Sequence, residues 1–226
     1  MRVLRRYPVL IPVILSSILI ICYPLYSYCD ATVQLWGLIS MATVIFTMSA
    51  ASIEFIHRKI SVREVALISV LGAVTAMLRL PFTFIPNVQP CTSMIICIGI
   101  SFGPHAGFFV GALTPLISNF FLGHGPWTPL QMYAWGVIGA LSSLLNSNIN
   151  RWKLGAYGLL TGYIYGFIMN IWFWYTFLHP ATLYTFFMAE LQGLPFDTMH
   201  AIGNFTFLTL MGNRILQVFS QFKRLQ

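Results

Sequence analysis

The stretch GFFVGALTPLISNFFLGHGPWTPLQMYAWGVIGAL, residues 107–141, joins two apolar runs of helix length through the compact segment Gly123-His124-Gly125-Pro126-Trp127-Thr128-Pro129. A connector between lipid-crossing helices can be almost any polar sequence. This one fixes its own backbone with Gly and Pro while presenting hydrogen-bonding and aromatic groups, so it reads as a loop built to hold something.

The rest of the chain supports the membrane reading. Of 226 residues 58% are hydrophobic and 8% charged, and the mean hydropathy is +0.78, far from the balance of a soluble domain. A hydrocarbon core of roughly 30 Å needs about 20 apolar residues per helix. Eight candidate spans follow, near 8–27, 33–55, 64–80, 91–103, 106–122, 129–146, 154–177 and 198–218. The fourth is short and meets the fifth at Gly103-Pro104, so 91–122 is either two short crossings, the favoured reading, or one broken pair. The predicted fold is an all-α transmembrane bundle with an N-terminal two-helix hairpin, 1–60, and a six-helix core, 61–226.

Lys and Arg set the orientation. With both termini cytoplasmic, Arg2, Arg5, Arg6, Arg58, Lys59, Arg63, Arg151, Lys153, Arg214, Lys223 and Arg224 fall inside, and only Arg79 falls outside. The net charge of +7 is therefore a topology signal for a multi-pass cell-membrane protein, and no nucleic-acid partner is expected. The first span has no small-residue cleavage site after it and reads as an anchor. Cys29 and Cys91 lie near one face, so a disulfide is conceivable, but no spacing motif supports it and four unpaired thiols are preferred.

Depth along the helices singles out a polar set. Arg79, Asn119, Gln131, Asn170, Asp197 and His200 fall in the outer third of the bilayer from five helices, which suggests an outward-opening pocket. Asp197, His200 and Asn204 form one helical stripe, with capping by Asp197 and interhelical bonding by the others as the competing reading. Three external loops would surround the pocket: Pro81–Pro90 with Asn87 and Gln89, Leu122–Pro129 with His124, Gly125, Trp127 and Thr128, and Leu178–Asp197, long enough to act as a lid or to lie in the interface. Trp127 and Trp135 are either ligand-stacking or belt aromatics. Arg79 either binds an anionic group through its fork or snorkels to headgroups. Ala66, Ser69, Ala73 and Ala76 make a small-residue stripe that marks a helix contact, internal or with another subunit.

Other classes lack their marks. There is no phosphate-binding G-x-x-x-x-G-K-[ST], so ATP hydrolysis is not expected of this chain. No zinc or nucleophile motif accompanies the histidines, so neither a metal, a cofactor nor enzymatic activity is expected. No carboxylate falls at mid-depth for ion coupling, as a secondary transporter would need. A membrane-embedded enzyme or a secondary transporter of small solutes remains the alternative class.

The segments Glu64–Val74, Phe102–Phe108 (FGPHAGF), Gly111–Met132 (GALTPLISNFFLGHGPWTPLQM) and Leu194–Ala201 (LPFDTMHA) resemble, in that order, the substrate-specific S components of energy-coupling factor (ECF) vitamin transporters. The resemblance runs over roughly 61–224 and leaves the first two helices as an addition to a six-helix core. It implies a receptor that captures a vitamin or related micronutrient outside and docks on a transmembrane coupling subunit driven by two cytoplasmic ATPases. It implies further that Ser69 and Ala73 belong to a docking motif in which one Ala is replaced by Ser. His124, where relatives often carry Gln, and Gln89, where Lys is common, depart from the pattern in the proposed binding loops. The cobalamin-type subgroup is the nearest, with pantothenate or another small vitamin precursor as the alternative substrate.

Overall fold

The computed structural model describes residues 61–224 continuously and isolated helical positions between 11 and 53. The expected N-terminal hairpin, with Cys22 and Cys29, thus lies outside the described residues apart from those positions. Helix α1 (Val62–Met77) leads through a short 3-10 turn (Leu80–Phe82) to α2 (Pro90–Phe102), α3 (Pro104–Leu122), α4 (Thr128–Ser142), α5 (Arg151–Phe177) and α6 (Leu183–Phe207), which passes through a π turn (Leu208–Gly212) into α7 (Asn213–Arg224). No strand occurs among the described residues. Three segments, Val62–Phe82, Pro104–Leu122 and Arg151–Phe177, are long and apolar enough to cross a bilayer, and Pro90–Phe102 is a shorter apolar helix.

The helix starts follow local chemistry. Ser61 accepts the Glu64 amide at 3.2 Å to open α1, Asn150 accepts the Trp152 amide at 2.8 Å to open α5, and α2 and α3 each begin on a proline whose missing N–H has no intrahelical partner to lose. A single residue, Gly103 at φ 93°, turns α2 into α3. The two are separate antiparallel helices, because Gln89 before α2 and Asn119 near the end of α3 both reach Arg79.

Helices α2, α3 and α4 pack backbone to backbone. A Cβ added at Gly139 would lie 2.1 Å from the Gly107 carbonyl oxygen, and one at Gly107 would lie 2.3 Å from that of Gly139. Small residues here let the helices approach closer than any side chain permits. Around this contact sit Ile95, Ile98, Phe108, Tyr133, Trp135 and Ile138, all fully buried.

The last helix departs from expectation. The segment Leu178–Asp197 is not a loop lid: α6 begins at Leu183, and the rod through α7 runs unbroken to Arg224, roughly 60 Å at 1.5 Å per residue. The start signal is Thr182, which accepts the Thr185 amide at 3.2 Å while Thr185 Oγ1 accepts the Thr182 amide at 2.9 Å. Pro195, which precedes the expected last span 198–218, stands inside α6, and Asp197 does not cap but accepts a hydrogen bond from Asn170 across the α5–α6 contact. Of the aromatics in that segment Phe186 packs within the hairpin, 5.3 Å from Trp174, whereas Tyr184, Phe187 and Phe196 are exposed.

Charge is segregated along the bundle. Arg79 is 5% exposed. Arg63 and Lys223 line one groove at the opposite end, where Lys223 Nζ donates to the Ser101 carbonyl at 3.1 Å. Arg151, Lys153 and Arg214 are exposed, near the turn that packs on α7. Cys91 and Cys97 are buried and free. On α1, Ala66, Ser69 and Ala73 are exposed, whereas Ala76 is wholly buried. Ala76 is therefore no part of an open docking face; it sits at the stripe edge that turns into the bundle.

Candidate functional site

Arg79 leaves the end of α1 and points into the bundle. Its Nε donates to Gln89 Oε1 at 3.2 Å, and its Nη1 donates to Asn119 Oδ1 at 3.0 Å and to Ser118 Oγ. The guanidinium carbon lies 4.7 Å from the centre of the Trp135 ring, a cation–π distance. All three hydrogen-bond acceptors are neutral. Of the five N–H donors of a guanidinium, those on Nη2 take no part in these bonds.

Asn119 extends the network into the loop that opens α4. Its Nδ2 donates to Thr128 Oγ1 and to Gln131 Oε1, each at 2.9 Å. Thr128 closes the turn, since its amide donates to the Gly125 carbonyl at 2.9 Å and its Oγ1 accepts the Gly125 amide at 3.3 Å. On the other side Trp135 Nε1 donates to Thr92 Oγ1 at 2.9 Å, and Thr92 Oγ1 is 3.0 Å from His200 Nε2. Having accepted from the indole, the threonine can donate its own O–H to His200 Nε2, which then leaves the proton of a neutral imidazole on Nδ1. His200 stacks on Tyr165 at 4.8 Å and 18°, and Tyr165 lies 4.6 Å from Trp135. The result is one buried constellation of a cation, amides, hydroxyls and three stacked rings, contributed by α1 to α6.

Of the expected residues, the structure brings together Arg79, Gln89, Asn119, Thr128, Gln131, Trp135 and His200, with Gly125 in the supporting turn. Asn87, at φ 55°, donates from Nδ2 to the Phe196 carbonyl at 2.9 Å and ties the loop before α2 to α6. His124 is exposed and edge-on to Phe120 at 4.8 Å, and Trp127, 39% exposed, folds its ring over Gly125. Among the described residues neither side chain is hydrogen-bonded into the network, although the Trp127 carbonyl accepts the Gln131 amide at 2.9 Å. Asn170 and Asp197 form a second cluster with Glu190: Asn170 Nδ2 donates to Asp197 Oδ2 at 2.8 Å and, at a longer 3.4 Å, to Glu190 Oε2.

Sequence reasoning missed Thr92, Ser118 and Tyr165. Hydroxyls in apolar helices commonly bond the preceding turn, as Ser118 also does toward Thr114 at 2.8 Å, so they carry no distinguishing signal. Among the described residues no group of three His, Cys, Asp or Glu could hold a metal ion.

With this geometry in hand, comparison with known families finds that the model described as ECF transporter, substrate-specific component, matches residues 63–215. No curated protein and no solved structure matches the chain.

Proposed function

We propose, on the premise that this chain belongs to the substrate-specific components of ECF transporters, that it captures a small anionic micronutrient at the Arg79 network and hands it to an ATPase-driven coupling module. The observation that carries the reading is the charge of that network. Arg79 is buried, yet among the described residues every oxygen that receives its protons is neutral. A buried guanidinium without a counter-charge costs several kcal/mol, and a carboxylate or phosphate arriving at the Nη2 side would both offset that cost and accept charge-assisted bonds from the N–H groups left on Nη2.

Orientation follows from the segregated cations. Arg63, Arg151, Lys153, Arg214 and Lys223 at one end belong on the cytoplasmic side by the positive-inside rule, which turns the Arg79 end outward, toward the solute. Residues 61–226 form the substrate-binding domain in this reading, and 1–60 an added hairpin. The exposed small face of Ala66, Ser69 and Ala73 suits docking on a transmembrane coupling subunit, itself driven by two cytoplasmic ATPases. An anionic preference favours a carboxylate-bearing vitamin precursor such as pantothenate over a neutral solute.

A thermal-stability screen of the purified chain against vitamins and their carboxylate precursors tests this. A ligand at 100 times its dissociation constant adds about 2.7 kcal/mol, so a true substrate produces a clear shift. No shift with any anionic member of the panel would sink the proposal.

A further inference from the structure

A groove of about 380 Å³ on the α5–α6 hairpin is lined by Tyr163, Phe167 and Phe187, by Leu191 and Leu194, and by the acids Glu190 and Asp197. The two acids share one neutral donor, the Asn170 amide. Asp197 is 7% exposed. Glu190 Oε1 is buried and has no hydrogen-bond partner. Among the described residues no Lys or Arg lines the groove. A buried carboxylate oxygen without a donor costs free energy unless something supplies one, and two acids in an apolar protein face ask for a cation.

The walls say which kind. Aromatic faces attract alkylammonium groups, whose charge is spread over methyl or methylene carbons, whereas a strongly hydrated metal ion wants several oxygen ligands that these walls do not offer. We propose that this groove is a second binding site, independent of the Arg79 network, that takes an organic ammonium group: the nitrogen sits at Glu190 Oε1 and Asp197, and its carbons lie against Phe167, Phe187 and Tyr163. The same chemistry is presented by a free alkylamine solute and by the ethanolamine headgroup of a lipid.

The test uses the full chain in two arms. In phosphatidylglycerol nanodiscs, butylammonium chloride is titrated against sodium chloride at equal ionic strength while the melting temperature is followed; saturable stabilisation that weakens at least tenfold in Glu190→Gln supports a solute site. In the second arm, native mass spectrometry of protein from mixed phosphatidylethanolamine and phosphatidylglycerol vesicles reads the retained lipid. Preferential retention of phosphatidylethanolamine, lost in Glu190→Gln, supports a headgroup site. Phe187→Leu, at a ring 63% exposed and so harmless to folding, must weaken the same signal, and it decides the matter if Glu190→Gln fails to fold. Absence of both signals in the unaltered chain, or signals that survive both substitutions, overturns the proposal.

Discussion

Replacing Arg79 by Met keeps an unbranched apolar stem and removes the charge, the guanidinium donors and the contact with Trp135. Three donated hydrogen bonds vanish, but the losses differ. Ser118 still donates to Thr114, and Gln89, only half-buried, can turn to other partners. Asn119, 2% exposed and held by Thr128 and Gln131, keeps an orphaned Oδ1 at a cost of about 1–3 kcal/mol. Loss of the guanidinium–indole contact adds up to about 2 kcal/mol. Against these stands relief from burying an uncompensated charge, worth several kcal/mol. The ligand-free protein should therefore change stability by no more than about 2 kcal/mol. Solute binding has no such offset, because truncating one side of a buried charged hydrogen bond costs about 2–5 kcal/mol, a loss of roughly 30-fold or more at 1.4 kcal/mol per decade. Melting curves without ligand and calorimetric titration with the solute that stabilises the parent chain measure the two quantities. An affinity within threefold of the parent, or a ligand-free protein weakened by more than about 3 kcal/mol, would show that Arg79 is a structural strut and refute the reasoning.

Arg79→Lys retains the charge without the planar fork; affinity should fall roughly tenfold, between the parent and Arg79→Met in the same titration. Gly139→Ala places a Cβ 2.1 Å from the Gly107 carbonyl oxygen, so α3 and α4 must separate; a loss of at least about 2 kcal/mol in unfolding experiments is expected, and a neutral result would contradict the backbone contact. Ala73→Leu on the exposed face of α1 should leave solute binding unchanged while abolishing uptake with the coupling module, whereas Ala76→Leu, at a fully buried position, should lower the melting temperature. Equal effects from the two would remove the distinction between a docking face and a packing face.

Most helix positions in the described core were legible because apolar length and Pro or Gly punctuation coincide: Pro90, Gly103-Pro104 and Thr128-Pro129 mark real ends. The α6 start was not, since Gly193 and Pro195 carry the same punctuation inside a helix that α5 supports along its length through Asn170, Gly166 and Gly162. Tertiary contact overrode the local signal. In the candidate site, the depth reading grouped Arg79, Asn119, Gln131 and His200, which the structure brings together, with Asn170 and Asp197, which it places in a separate cluster with Glu190. Thr92 and Tyr165 were not, because a hydroxyl or an aromatic ring within an apolar helix has an ordinary packing role until a neighbour such as His200 is placed beside it. The same limit affected His124 and Trp127, whose distinctive loop context said nothing of which way they face.

The central claim is that the Arg79 network is the receptor for an anionic solute. Mass spectrometry of the small molecules extracted from the purified chain, compared with those from Arg79→Met, tests it most directly. The account predicts an anionic solute near one per chain with the parent protein and little or none with the variant. Equal retention by both, or a retained solute without an anionic group, would contradict it.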